Sequence, residues 1–262
     1  DDLAAAQSRL QAGWRPPKGT GKHQRATRAP GLVRAVNRRL DDLRAHDVTK
    51  PRAPLQFRLP DLSVLPGVTL LRADHVTVAG RLTTPISVEL SSGDRLLVTG
   101  GNGAGKSTLL AVLAGHLDPH QGHVVASPAA RIGWVAQESS STDPRSARDV
   151  YRARTVELAH HGVTDPVPLR TLGLFTTEDL ARPVAELSMG QQRRLDLAIA
   201  LAGRPHLLLL DEPTNHLSIA LVDELTHALD TTAAAVVIVT HDRQLRNDLE
   251  HWPNIHLPDT SP

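Results

Sequence analysis

The stretch LLVTGGNGAGKSTLLAVLAG, residues 96–115, decides the architecture. An apolar run of strand length leads into a glycine-rich loop, and the loop opens a helix with leucines at helical spacing. Gly100, Gly103 and Gly105 let the backbone curl so that successive N–H groups face one centre. The helix N-terminus behind them adds the positive end of its dipole. Lys106 is expected to reach the β- and γ-phosphates of a nucleotide, and Ser107 to hold Mg²⁺. Asn102, Ala104 and Thr108 complete the candidate phosphate-binding set. A pattern fixing two glycines, a lysine and a Ser or Thr arises by chance in only ~1% of chains of this length.

Working outward, LLLLDEPT, residues 207–214, supplies the partner motif. A buried apolar strand ending in Asp211 sets one carboxylate where Mg²⁺ must be held. Glu212 beside it is positioned to orient or deprotonate an attacking water. An isolated Asp-Glu pair is ordinarily a solvated loop; after four leucines and a phosphate loop it reads as catalytic. With LLVT, the runs WVAQ and AVVIVT read as further buried parallel strands, each bounded by helical patterns or loops, so the core is α/β. The runs VTVAG and ISVEL alternate and read as edge strands. Residues 137–188, between WVAQ and the next motif, read as a mainly helical insertion.

That next motif is LSMGQQRRL, residues 187–195, heading a helix. It resembles the signature of the ABC ATPases. In the same order, Gln137 in WVAQE resembles the family's Q-loop and His241 in VTHD its switch histidine. The resemblance implies an ABC-type P-loop ATPase fold with antiparallel β and helical subdomains, the latter over about 142–187. It assigns ATP and Mg²⁺ as cofactors, with Gln137, Ser188, Gly190 and Gln191 joining the nucleotide ligands. Ser107, Gln137 and Asp211 become the metal set, and Glu212 with His241 the catalytic pair. It further implies that the phosphate loop of one cassette faces the signature of another. This chain has one of each, so its partner is a first cassette of the same polypeptide or a second copy.

DEPTNHLS, residues 211–218, resembles the ABC-F version of that motif more than the exporter version. ABC-F proteins join two soluble cassettes through a helical hairpin, with no stable membrane domain. The start of this chain fits that layout. Leu3, Ala6, Leu10 and Trp14 fall three and four apart, as do Val33, Val36, Leu40 and Leu43, with a basic segment between the two stripes. Residues 1–55 therefore read as a hairpin linker with its tip at about 15–31, and 56–262 as the nucleotide-binding domain. From Arg15 to Arg39 there are eight Lys or Arg residues and no acid, within a chain whose net charge is only +1. Such sorting marks an anionic partner. The resemblance names it: the 70S ribosome, its rRNA and the P-site tRNA, with Lys18, Lys22, Arg25 and Arg28 on phosphates and His23 adding hydrogen bonds. Only 4 of the 29 basic residues are Lys, a bias expected of a GC-rich, actinobacterial genome. Within the family this points to the actinomycete proteins that protect ribosomes from macrolides or lincosamides, cytoplasmic and ribosome-associated.

The remaining composition narrows the alternatives. The chain has no cysteine, which excludes disulfides and thiolate metal sites. No uninterrupted apolar run reaches the ~18 residues of a membrane span, and the start does not read as a signal peptide. The single methionine, Met189, makes a fragment of a longer protein the expectation. The cytosolic ATPase subunit of an exporter would account for the cassette motifs and leave the hairpin unexplained. DNA-repair ATPases insert long coiled coils or zinc modules where only 82 positions separate Lys106 from Ser188. Finally, the family's adenine-stacking aromatic has no counterpart near VTVAGRLTT, with Arg81 or His75 as candidate substitutes.

Overall fold

The computed structural model describes residues 55–62, 64–138 and 143–258. Of the expected hairpin over residues 1–55, residues 1–54, with the basic tip and Lys18, Lys22, His23, Arg25 and Arg28, lie outside the described residues. In chain order the strands are β1 (Thr69–Val78), β2 (Leu82–Ser91), β3 (Arg95–Gly100), β4 (Gln121–Ala126), β5 (Ile132–Val135), β6 (Leu207–Asp211), β7 (Ala235–Val239) and β8 (Asn254–Leu257). The α-helices are α1 (Lys106–Leu113), α2 (Ala147–His160), α3 (Met189–Leu201), α4 (Ile219–Thr231) and α5 (Arg243–Asp248).

Strands β6 and β7 are buried at every position. Successive strand side chains point to opposite faces. Leu208, Leu210, Val236 and Ile238 therefore enter one core cluster, and Leu207, Leu209, Val237 and Val239 the other. A strand packed on both faces has no polar alternation, which is why LLLL and AVVIV read as interior strands. They lie at the centre of a parallel sheet of order β5-β6-β7-β3-β8. Against one face pack α2, α3 and α4; against the other pack α1 and an antiparallel sheet of order β2-β1-β4.

Local chemistry sets the helix starts. Ser146 caps α2 by accepting from the Asp149 amide, and Asp242 caps α5. Ser188 and Gln191 form a reciprocal capping box on α3. In α4, Leu221, Leu225 and Leu229 recur every fourth residue and are the buried set.

Three sequence expectations need correction. β1 is the central strand of its sheet, not an edge, because β4 pairs on its far side. β4 escaped notice since its side chains are almost all exposed, and β8 because four residues between prolines carry no period. Among its described residues the insertion holds one α-helix, α2. Beyond α2 the chain forms 3-10 turns at Leu169–Leu172, Asp179–Ala181 and Val184–Glu186. Pro166, Pro168 and Pro183 deny a continuous helix its amide donors.

Candidate nucleotide site

The C-terminal ends of β3 and β6 and the N-terminus of α1 open on one cleft of about 540 Å³. Asn102, Gly103, Gly105, Lys106, Ser107 and Thr108 line it, and Gln137, Asp211, Glu212 and His241 converge from other elements. Gly100 and Ala104 back the loop instead of lining it. The Ala104 methyl is in the core, and a Cβ on Gly100 would stand 2.5 Å from the Leu257 carbonyl. Within the loop, Gly105 has the closest backbone approach. It sits at φ 94°, and a Cβ there would meet the Arg81 carbonyl at 2.4 Å, so the β1–β2 turn and the loop can approach only through glycine.

Lys106 is buried, with Nζ donating to the carbonyls of Gly100 at 3.1 Å and Gly101 at 2.7 Å. The ammonium is thus held over the loop by weak neutral acceptors that an anionic phosphate would outcompete. Ser107 Oγ donates to Gln137 Oε1 at 3.2 Å, and the same hydroxyl lowers the pKa of the Asp211 carboxyl. Asp211 is 2% exposed, and its Oδ1 has no hydrogen-bond partner among the described residues. Burial raises its pKa, partly offset by Ser107, by the charges of Arg193 and Lys106, and by the nearby His241. An orphaned carboxylate oxygen beside a hydroxyl and an amide oxygen is a donor set that fits a hard divalent cation.

Glu212 is built differently. Its backbone is left-handed at φ 48°, a conformation costly for a non-glycine residue and frequent at functional sites. The carboxylate is pinned on both sides: Oε1 accepts the His241 amide at 2.7 Å and Oε2 the Thr240 hydroxyl at 3.2 Å. The His241 ring nitrogen Nε2 stands 4.0 Å from Oε1. Burial pushes the Glu212 pKa up, against the lowering pull of those hydrogen bonds and of His241. A carboxylate so held suits a general base. Thr240 was not singled out from the sequence, where one threonine beside a histidine carries no signal.

The signature residues do not reach this cleft. Ser188, Gly190 and Gln191 line a separate, shallower pocket with Met189, Arg194 and His216–Ser218. Gln191 also donates to Asp179 at 2.7 Å, and Gly190 packs so closely that a Cβ would sit 2.5 Å from the His216 carbonyl. Of the two candidate base contacts, Arg81 lines the nucleotide cleft and His75 does not. A register shift in β1 between Ala73 and Val76 turns the His75 amide to Ser87 instead.

The sequence profile of the ABC transporter family matches residues 83–215, half of the chain. The chain belongs to the ABC transporter family. As a member it carries the ATP-binding cassette of that family's ATPases, with the mixed parallel and antiparallel sheets described above. Its curated relatives include F-type members. It is 42% identical over 225 residues to the tylosin resistance ATP-binding protein TlrC of Streptomyces fradiae, covering 84% of this chain and 39% of TlrC. It is 37% identical over 163 residues to ABC transporter F family member 4 of Arabidopsis thaliana, covering 61% of this chain and 22% of the relative. The probable ATP-binding protein YbiT of Escherichia coli O157:H7 is 33% identical over 172 residues, covering 65% and 32%. The chain thus spans well under half the length of these relatives. Among solved structures, the dimeric post-hydrolysis cassette MJ0796 bound to ADP and phosphate overlays with a TM-score of 0.57, covering 73% of this chain and 97% of that one. At 19% identity that likeness shows the fold alone.

Proposed function

We propose that this cassette is half of an ABC-F protein that binds the ribosome and protects it from a macrolide- or lincosamide-type antibiotic, with ATP hydrolysis timing its release. The observation that carries the chemistry is the convergence of Lys106, Ser107, Asp211 and Glu212 on one cleft. There the backbone amides of the loop and Lys106 hold the phosphates. Mg²⁺, when bound, supplies charge neutralisation, with Ser107, Gln137 and Asp211 as its protein ligands. Glu212, fixed by Thr240 and the His241 amide, orients the attacking water and draws its proton, and His241 lies within reach of the same group. Ser188, Gly190 and Gln191 face away from this cleft, so they serve the nucleotide of a second cassette docked head to tail.

The ribosomal reading is supported by the 42% identity to a tylosin resistance protein and by the acid-free basic stretch from Arg15 to Arg39. The same reading makes the protein a cytoplasmic, ribosome-associated partner of rRNA and tRNA; no helix among the described residues is long and apolar enough to cross a membrane. The test is co-sedimentation with 70S ribosomes of the intact protein carrying Glu212→Gln and the equivalent change in its other cassette. Pelleting that needs ATP, weakens with salt and fades when Lys18, Lys22, Arg25 and Arg28 are neutralised is expected. Absence of pelleting in all conditions, or recovery with a membrane partner, would return the exporter reading.

A further inference from the structure

Arg193 is 3% exposed, yet it forms no hydrogen bond to a carboxylate among the described residues. Its guanidinium donates from Nη1 to the Ala136 carbonyl, and from Nη2 to the carbonyls of Asp211 and, at 2.7 Å, Glu212. These three acceptors are the residue before Gln137 and the two acidic residues of the cleft. Burial lowers the pKa of this guanidinium, and the charges of Asp196, Asp211 and Glu212 offset only part of that cost. On a helix whose neighbours Leu195, Leu197 and Ala198 are all core residues, packing alone would favour a hydrophobe. Arg193 belongs to α3, the helix whose first turn carries Ser188 and Gly190 in the other pocket.

We infer that Arg193 is the positioning residue that hangs the backbone of Ala136, just before Gln137, and of Asp211 and Glu212 on the signature helix, so that engagement of Ser188 and Gly190 is felt at the Glu212 carboxylate. Glu212 needs such a tie. Its left-handed backbone persists only where neighbours over-determine it, and Arg193 holds its carbonyl while its amide donates to the Val239 carbonyl at 2.9 Å. Lysine cannot substitute, because a single ammonium cannot present the planar fork that spans carbonyls of two different strands' ends. The inference rests on the reading that this cleft hydrolyses ATP through Glu212.

The experiment compares steady-state ATP turnover, with Mg²⁺, in the intact protein and in its Arg193→Lys and Arg193→Met variants. Each is also made in a Glu212→Gln background, and thermal unfolding is read with and without ATP. Both variants should lose kcat by about 10- to 100-fold while KM stays within about threefold, the pattern of an interaction that matters in the transition state. The ATP-induced rise in unfolding midpoint should persist. In the Glu212→Gln background Arg193→Lys should cost less than about twofold more, since both changes act on one group. Turnover of Arg193→Lys within twofold of the parent overturns the inference. So do losses that multiply in the double variant, a KM that rises with the fall in kcat, or failure of both variants to fold, each of which makes Arg193 a packing group. A parent that binds ATP but never hydrolyses it sinks the underlying ATPase reading, a result separate from the others.

Discussion

The cleft at the phosphate loop and the pocket at the signature differ in what their side chains are doing before any ligand arrives. In the cleft, Lys106 is buried and tied to its own loop, and both Glu212 oxygens are occupied. One oxygen of Asp211 has no hydrogen-bond partner among the described residues. At the signature, the Ser188 hydroxyl and the Gln191 amide are spent on a capping box, and the neighbouring Met189 and Ile219 are 61% and 82% exposed. One region holds its polar groups in a fixed, largely buried arrangement; the other is a helix end finished against itself and open to solvent. On the proposed reading, the difference teaches that a single chain builds the reacting half of the site in full and presents the complementary half outward.

Breaking the cleft should have the largest effect. Lys106→Ala removes the one buried cation aimed along the loop, and should abolish measurable nucleotide binding and turnover together. Fluorescent-ATP titration checks the first and phosphate release the second. Retained affinity would mean that the loop amides alone carry the polyphosphate.

Next in size is Glu212→Gln, which preserves shape and the His241 contact but cannot take a proton. Turnover should fall by about 10²- to 10⁴-fold while ATP affinity holds. The pH profile of the parent adds a sign test. Burial raises the Glu212 pKa, and a base acts only when ionised. Activity should therefore be lost, as pH falls, at a higher pH than an ordinary glutamate would dictate. A raised carboxyl pKa also means that the ionised form burdens the fold at neutral pH. Glu212→Gln should raise the nucleotide-free unfolding midpoint by about 2–4 °C for each kcal/mol relieved. That gain should shrink in acid, where Glu212 is already neutral.

Legibility in the sequence followed contact range. The phosphate loop was readable because its glycines, Lys106 and Ser107 act within nine consecutive positions, and β6 because burial on both faces writes four leucines in a row. Even the separation of the signature from the cleft could be anticipated from motif order and family resemblance. What could not be read are long-range ties. Thr240 meets Glu212 across 28 positions, and Arg193 meets it across 19, with residue types that have no pattern locally. The left-handed backbone of Glu212 is likewise set by tertiary contacts, since glutamate has no preference for it. His75 was misjudged for the same reason, because a β-bulge cannot be located from alternation alone.

Sharpening the comparison from the signature side calls for Ser188→Ala. The loss of the cap should cost about 1 kcal/mol of stability. If the hydroxyl also serves a second cassette's nucleotide, turnover should fall roughly tenfold with little change in the affinity of the isolated cassette. Capping alone would predict the stability loss without the turnover loss, and Ser188→Asp separates the two. Aspartate caps as well as serine, but sets a negative charge where a phosphate must come.

The smallest effect concerns the nucleotide base. Among the described residues the cleft lining contains no Phe, Tyr or Trp, and Arg81 at the β1–β2 turn is a long side chain that lines it. A guanidinium stacks on any purine, whereas discrimination between adenine and guanine needs buried hydrogen-bond partners that would go unpaired with the wrong base. ATP and GTP should therefore compete at this cassette within about tenfold. Arg81→Ala should raise KM for both by a few-fold and leave kcat alone, because it removes binding that is equal in ground and transition states. Replacing Arg81 with Tyr should restore affinity without restoring selectivity, since every base offers a π-face to stack on. A parent that prefers ATP by more than tenfold would require base contacts from outside this cleft lining, and the natural source would be the facing cassette.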